Sequence, residues 1–317
     1  MSTLYIDRKG LSCKLENGAL VFYENGERSG TVPTAPLERI VFKSDVVINT
    51  GALAKLGNRG IGMLFLSGHA VKPTLILPTE HKDAERRLSQ YQLSEDPEFC
   101  RQFAADLLTE KIRAQKRHVA DLMMEIHDEK VFLESCLTRL DALFGRLSAA
   151  LTLDAQRGLE GLAAAVYFEA LGRCVSPELG FTHRNRRPPK DPVNALLSLT
   201  YTLLTSEAGA AAHQAGLDPF VGFLHSLDYG RPSLACDLME PLRPEADRFV
   251  LRLFRERAVT LSDFTQTTEH CLLTKDGRIK FYPLYEAAAG DWRSYLNKRC
   301  LKHASDFVTK YRSRKQS

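Results

Sequence analysis

The hydrophobic periodicity of this chain changes once, near residue 80, and that change limits the fold more than any other feature. Before it, short runs alternate between apolar and polar residues and read as strands: 4–6, 11–15, 19–23, 39–42 and 62–66. Turn signals separate them. Asn17-Gly18 and Asn25-Gly26 readily supply the positive φ angles of tight hairpins. Thr50 can cap a short helix over 51–56 that Gly57 and Gly60 would close. After the change the apolar period is helical almost to the end. Phe103, Leu107, Ile112, Val119 and Leu122 recur at roughly helical intervals, leaving Lys111, Arg113, Lys116 and Arg117 to face outward. The expectation is an α+β protein: a small β-rich N-terminal domain over 1–77, a linker over 78–84 and a larger all-α domain over 85–317.

A chain of 317 residues is long enough for two buried cores, and 44% hydrophobic residues is ordinary for a globular protein. The opening residues show no basic segment followed by an apolar run, and no later stretch reaches the roughly 18 apolar residues of a membrane span. A cytoplasmic protein without a membrane partner is expected. The seven cysteines form no Cys-x-x-Cys pair, which argues against a zinc knuckle or a disulfide framework and reads as buried thiols. A net charge of +4 does not identify a nucleic-acid partner, but its distribution is uneven. Residues 297–317 hold seven Lys or Arg against the single Asp306, and Arg184, Arg186, Arg187 and Lys190 cluster without an acid in a proline-rich loop. Either patch could meet phosphates; either alone could equally be a solvated tail or loop.

The chemistry concentrates in Val221-Gly222-Phe223-Leu224-His225, followed by Asp237 and Glu240. Phe223 and Leu224 read as the buried end of one helix, with 228–232 as the turn that brings the next helix back. Ser233 can cap that next helix. Asp237 and Glu240 then share a face, with Arg243 one turn beyond Glu240. Earlier, Glu160 shares a helical face with Ala163, Ala164 and Tyr167, small or apolar neighbours that let another element or a substrate backbone approach the acid. Taken singly, His225 reads as a hydrogen-bonded core histidine, the acids as helix surface and Arg243 as a surface cation. Together, Glu160, His225 and Glu240 offer two carboxylates and an imidazole, a set suited to Mg²⁺ or Mn²⁺. Asp237 could bind through water or orient His225. Arg243 could offer a cation to a phosphate, and metal plus arginine suits phosphodiester chemistry.

Leu159-Glu160-Gly161 with Tyr167-Phe168, Asp191 to Ser198 with Tyr201, Gly222 to His225, and Asp237 to Pro244 occur in the order seen in the CRISPR-associated protein one family. The chain resembles that family over most of its length, in its small β domain and larger helical domain as well. The resemblance implies a homodimeric, metal-dependent DNA endonuclease and integrase. Such an enzyme joins the 3′-OH ends of short double-stranded DNA fragments, the spacer precursors, to a CRISPR repeat by transesterification in antiviral defence. CRISPR-associated protein two is the implied partner. Carried over by residue, Glu160, His225 and Glu240 match the metal ligands, and Asp237 matches a further catalytic acid. Arg243 matches a basic position near the DNA. Arg184, Arg186, Arg187 and Tyr167 are further DNA-binding candidates. The family often carries an aspartate where this chain has Glu240, a hard oxygen ligand one methylene longer.

Two other readings compete. His127-Asp128 in a helical domain hints at an HD-type phosphohydrolase, although the charged neighbours Glu125, Glu129 and Lys130 point to a solvated helix face. A DNA-binding scaffold that shares the fold without catalysis is the other.

Overall fold

The computed structural model describes residues 2–66, 74–77, 81–147, 149–185 and 188–316. Most of the expected linker's first half, 78–80, and the candidates Arg186 and Arg187 lie outside the described residues. The chain divides into two compact units, residues 1–83 with 213–216, and residues 84–212 with 217–317.

The first unit contains strands β1 (Ser2–Ile6), β2 (Leu11–Glu16), β3 (Ala19–Glu24), β4 (Glu27–Pro33), β5 (Leu37–Phe42) and β6 (Val46–Ile48), then helix α1 (Thr50–Asn58), then β7 (Gly62–Phe65) and β8 (Thr74–Ile76). One sheet runs β4-β3-β2-β6, the other β1-β5-β7-β8. The two Asn-Gly pairs do turn the β2–β3 and β3–β4 hairpins, with φ of 45° and 79° at Asn17 and Gly18 and of 51° and 88° at Asn25 and Gly26. Leu20, Ile40, Leu56, Ile61 and Met63 are at the centre of the core. Three strands were not legible from alternation. β4 is exposed along nearly its whole length, so it shows no apolar period, and β6 and β8 are three residues each. Helix α1 is capped by Asn49, whose side chain accepts the Ala52 N–H at 2.7 Å, rather than by Thr50, which is already its first turn.

The second unit is built from α2 (Ala84–Ser94), α3 (Pro97–Glu125), α4 (Lys130–Leu147), α5 (Leu153–Arg173), α6 (Pro192–Gln214), α7 (Ser233–Met239), α8 (Arg243–Arg255) and α9 (Lys275–Gln316). A short hairpin, β9 (Phe264–Gln266) and β10 (Cys271–Leu273), interrupts the helices, so this unit is mostly rather than wholly α. Helix α6 is buried on nearly every side and is a central element. Helix α3 packs against α4, α5, α8 and the 3₁₀ turn Glu240–Leu242, so it passes beneath the region where Glu160 and Glu240 are held. Asp96 starts α3 by accepting the N–H groups of Glu98 and Phe99, with Pro97 in the first turn. Lys111 does not face outward: it is 4% exposed. Its spacing from Leu107, Leu108, Gln115 and His118, all buried, puts it on the core face of α3. His127 and Asp128 are exposed in a 3₁₀ turn between α3 and α4, not on a helix face. Of the seven free cysteines, Cys174 and Cys236 are half-buried and the others buried. No helix among the described residues is long and apolar enough to cross a membrane.

Candidate active site

The segment carrying His225 is a loop. Helix α6 ends at Gln214 and no helix covers 219–224, because other elements already satisfy this backbone. Gln90, fully buried on α2, donates to the carbonyls of Asp218 (2.9 Å) and Val221 (2.7 Å) and accepts the Asp218 N–H (2.8 Å). Arg157 on α5 donates from Nε (2.8 Å) and Nη2 (2.6 Å) to the carbonyl of Leu224. The Phe223 ring lies 4.5 Å from Phe103 and 5.1 Å from Phe307, which anchors the loop in the core.

Asp237 completes the loop from the other side. Its carboxylate accepts the backbone N–H groups of Phe223 (2.6 Å), Leu224 (3.0 Å) and His225 (3.0 Å), and lies 2.6 Å from His225 Nδ1. A carboxylate oxygen accepts, so Nδ1 is the donor of this pair, and Nε2 is the ring nitrogen turned toward Glu240. Helix α7 places Asp237 there, but Ser233 is not its cap: Pro232 holds that position, and the Ser233 hydroxyl donates to the Ser226 carbonyl at 2.9 Å.

His225 Nε2 stands 3.9 Å from Glu240 Oε1. Pro241 ends α7 before Glu240, which opens a 3₁₀ turn and is 3% exposed. Arg243 Nε lies 3.0 Å from Glu240 Oε1, the one-turn offset that the sequence implied. Lys111 Nζ donates to Glu240 Oε2 at 2.5 Å and also to Glu160 Oε1. Burial alone would raise the Glu240 carboxyl. The charges of Arg243 and Lys111 beside it outweigh that cost and hold the group down at about 2, so Glu240 is ionised. The Glu160 side chain is about one-third exposed, so the pair of acids opens toward solvent on its side.

Behind Arg243 is a buried polar network. Its guanidinium lies 4.8 Å over the Tyr201 ring, and that of Arg184 lies 5.4 Å from the same ring. The Tyr201 hydroxyl donates to Asp247, which also receives the Tyr167 hydroxyl. Burial pushes Asp247 up to about 6 against the opposing pull of the two tyrosines, Arg243 and Arg184. Tyr167 is 1% exposed and also bonds His118 Nδ1 at 2.7 Å, so its ring offers no surface to DNA. Arg184 donates to Asn194 (2.7 Å) and Ser198 (3.1 Å), which ties the basic loop to the start of α6. A groove of about 470 Å³ runs along the small-residue face of α5 beyond Glu160, lined by Gly161, Ala164, Ala165, Phe168 and Glu169 and by Thr182, His183 and Arg184.

The structure thus brings Glu160, His225, Asp237, Glu240 and Arg243 together. Lys111, Gln90, Arg157 and Asp247 join them, and sequence patterning had given none of the four a place there. The buried offsets around Lys111 on α3 were the available signal. Among the described residues no three His, Cys, Asp or Glu side chains stand close enough to hold an ion as placed, since the Lys111 ammonium stands between the two glutamates. The donor types nevertheless fit a hard divalent cation. Ligand bonds of about 2.1 Å allow two donors to lie up to about 4.2 Å apart across one ion, and the separation of Nε2 from Glu240 is within that span.

A strand-rich domain is followed by a helical one on which three acids, an imidazole and cations converge, a set of groups suited to phosphodiester chemistry. The family model described as CRISPR associated protein Cas1 matches residues 4–287. The CRISPR-associated endonuclease Cas1 1 of Thermodesulfovibrio yellowstonii is 39% identical over 293 residues, covering 90% of this chain and 91% of the relative. A Cas1 protein from Thermotoga maritima shares the fold at TM-score 0.84 and 23% identity, covering 97% of each chain. A casposase bound to integration product does so at 0.83 and 22%, covering 98% of this chain and 91% of that one. A chain of a Cas6-RT-Cas1–Cas2 complex does so at 0.82 and 19%, covering 98% of this chain and 35% of that one. The chain belongs to the Cas1 family of CRISPR-associated endonucleases and integrases.

Proposed function

We propose that Glu160, His225 and Glu240 hold a divalent cation, Mg²⁺ or Mn²⁺, at a site that cuts DNA and joins the 3′-OH ends of spacer precursors to a CRISPR repeat by transesterification. The observation that carries this reading is His225: Asp237 fixes the proton on Nδ1 and leaves Nε2 free to coordinate beside the ionised Glu240. When bound, such an ion polarises phosphoryl oxygens and stabilises the entering and leaving oxygens. The chain's own groups do the rest. Asp237 holds the loop and the imidazole, Gln90 and Arg157 fix the loop's backbone, and Arg243 is positioned against Glu240 and Tyr201 to meet a phosphate. The open side of Glu160 and the groove beyond it leave room for a DNA strand.

The reaction takes place in the cytoplasm with the chain as a homodimer and Cas2 as its partner on double-stranded DNA. The named Cas6-RT-Cas1–Cas2 complex and the casposase with its integration product support the Cas2 and DNA parts of this assignment by shared fold. The test is integration into a repeat-bearing plasmid by the purified protein with Cas2, with Mn²⁺ or with EDTA. Glu160→Ala, His225→Ala and Glu240→Ala should each remove strand transfer while leaving a cooperative melt. Full activity in EDTA would refute the reading, and DNA binding without transfer under every condition would make the chain a scaffold.

A further inference from the structure

Lys111 is the least expected member of this site. It rises from the core face of α3, is almost fully buried, and donates to both Glu160 and Glu240, the two acids that the functional reading assigns to a metal. We propose that Lys111 is a resident counter-cation that stabilises the metal-free site and must be displaced when the divalent ion enters. The proposal rests on the metal reading of the same site.

Charge and space both support it. The side chains around the position are three carboxylates, Glu160, Asp237 and Glu240, and two cations, Lys111 and Arg243. As a metal ligand, His225 would contribute an imidazole without charge. With Lys111 in place the cluster is one negative charge from balance; a divalent ion added beside it would overshoot by one. With the ammonium withdrawn and the divalent ion present, the formal charges cancel. Two cations packed between the same carboxylate oxygens would also repel each other in a poorly solvated site. The metal-free enzyme avoids the cost of two facing carboxylates in a buried site, because the ammonium already lies between them. Lys suits this role better than Arg. Its charge is compact, on a flexible four-carbon stem that can retract, whereas the planar guanidinium of Arg243 is held by Glu240 and the Tyr201 ring.

The consequence is a site whose metal affinity is set partly by what it expels. The protein and its Lys111→Met variant are titrated with Mn²⁺ by calorimetry and melted in EDTA and in Mn²⁺. Lys111→Met should bind Mn²⁺ more tightly than the wild type by roughly tenfold or more, melt lower in EDTA, and recover most of the loss with Mn²⁺. Lys111→Arg should keep the EDTA melt near that of the wild type and gain no affinity. Loss of packing alone would weaken binding, so a gain distinguishes competition from a structural role. Equal or weaker Mn²⁺ binding by Lys111→Met overturns the proposal and leaves the metal reading intact. Absence of Mn²⁺ binding in both wild type and variant, with the lower EDTA melt still present, overturns the metal reading and the displacement with it. If Lys111→Met does not fold, Lys111→Gln, neutral but still a donor, carries the same comparison.

Discussion

Gly222 shows how little freedom the loop carrying His225 has. A Cβ at this position would lie 2.7 Å from Asp237 Oδ2 and 2.8 Å from the Ser233 carbonyl carbon, inside atoms that cannot withdraw cheaply. Gly222→Ala should therefore cost about 1–3 kcal/mol and, by pushing on Asp237, weaken Mn²⁺ binding. Paired melts and titrations test it, and a wild-type affinity in the variant would mean that the loop tolerates the shift. Asp237→Asn is expected to be worse for the fold. The carboxylate receives three backbone N–H groups and the imidazole, and an amide would turn an NH₂ toward donors. A loss of a few kcal/mol in chemical denaturation is expected, together with loss of strand transfer. The sequence made Asp237 and Glu240 neighbours of His225 and read Glu240 as a ligand and Asp237 as an acid that binds through water or orients the imidazole. That division depends on Pro241 ending α7, which turns Glu240 toward α3 while Asp237 stays against the loop.

At the scale of elements, α3 and α9 carry the helical unit. Asp96 caps α3 and also bonds Arg314 near the end of α9. Asp96→Ala should lower stability by about 1 kcal/mol or more, seen as a lower denaturant midpoint at unchanged slope. Helix α9 also carries His303 against Phe103 and Phe307, centroids 5.0 and 5.7 Å away. Burial, assisted by Arg299 and Lys302, pushes this imidazole down to about 3. Its folded value is below the ordinary one, so its contribution is fully present above about 6.5 and is lost as the pH falls toward 3. His303→Leu should lose less stability than the wild type across that window, by a difference on the order of a few kcal/mol. Coincident pH profiles for the two proteins would rule this out. Periodicity located α3 in outline because its apolar face is long and regular. It misassigned Lys111, since a lysine on a mixed helix is by default placed in water, and only the two acids brought by α5 and the turn after α7 make burial tolerable.

At the scale of the whole molecule, the two basic stretches differ in kind. The C-terminal stretch is knit into the helical unit: Arg312 pairs with Glu85 at 2.6 Å, Arg314 bonds Asp96, and Lys310 lies 4.9 Å from the Phe99 ring. Charge reversal at Arg312 and Arg314 should lower the melt more than it alters DNA binding. The loop with Arg184, Arg186 and Arg187 borders the groove beside Glu160 through Arg184. Reversing those three charges should weaken DNA binding and flatten its salt dependence by about 0.9 in logarithmic slope for each phosphate that is no longer neutralised. An unchanged slope in a salt titration would exclude the loop from the DNA interface. By itself the sequence determined the order of a β-rich and a helical domain, the Asn-Gly hairpins and the kinds of donor at the site, because periodicity, turn chemistry and ligand type are local properties. Only the tertiary structure decided that Asp237 holds the loop, that Tyr167 is buried and that Lys111 stands between Glu160 and Glu240. Those facts depend on which elements meet across long stretches of chain, and the free energy of a buried charge is set by what it meets.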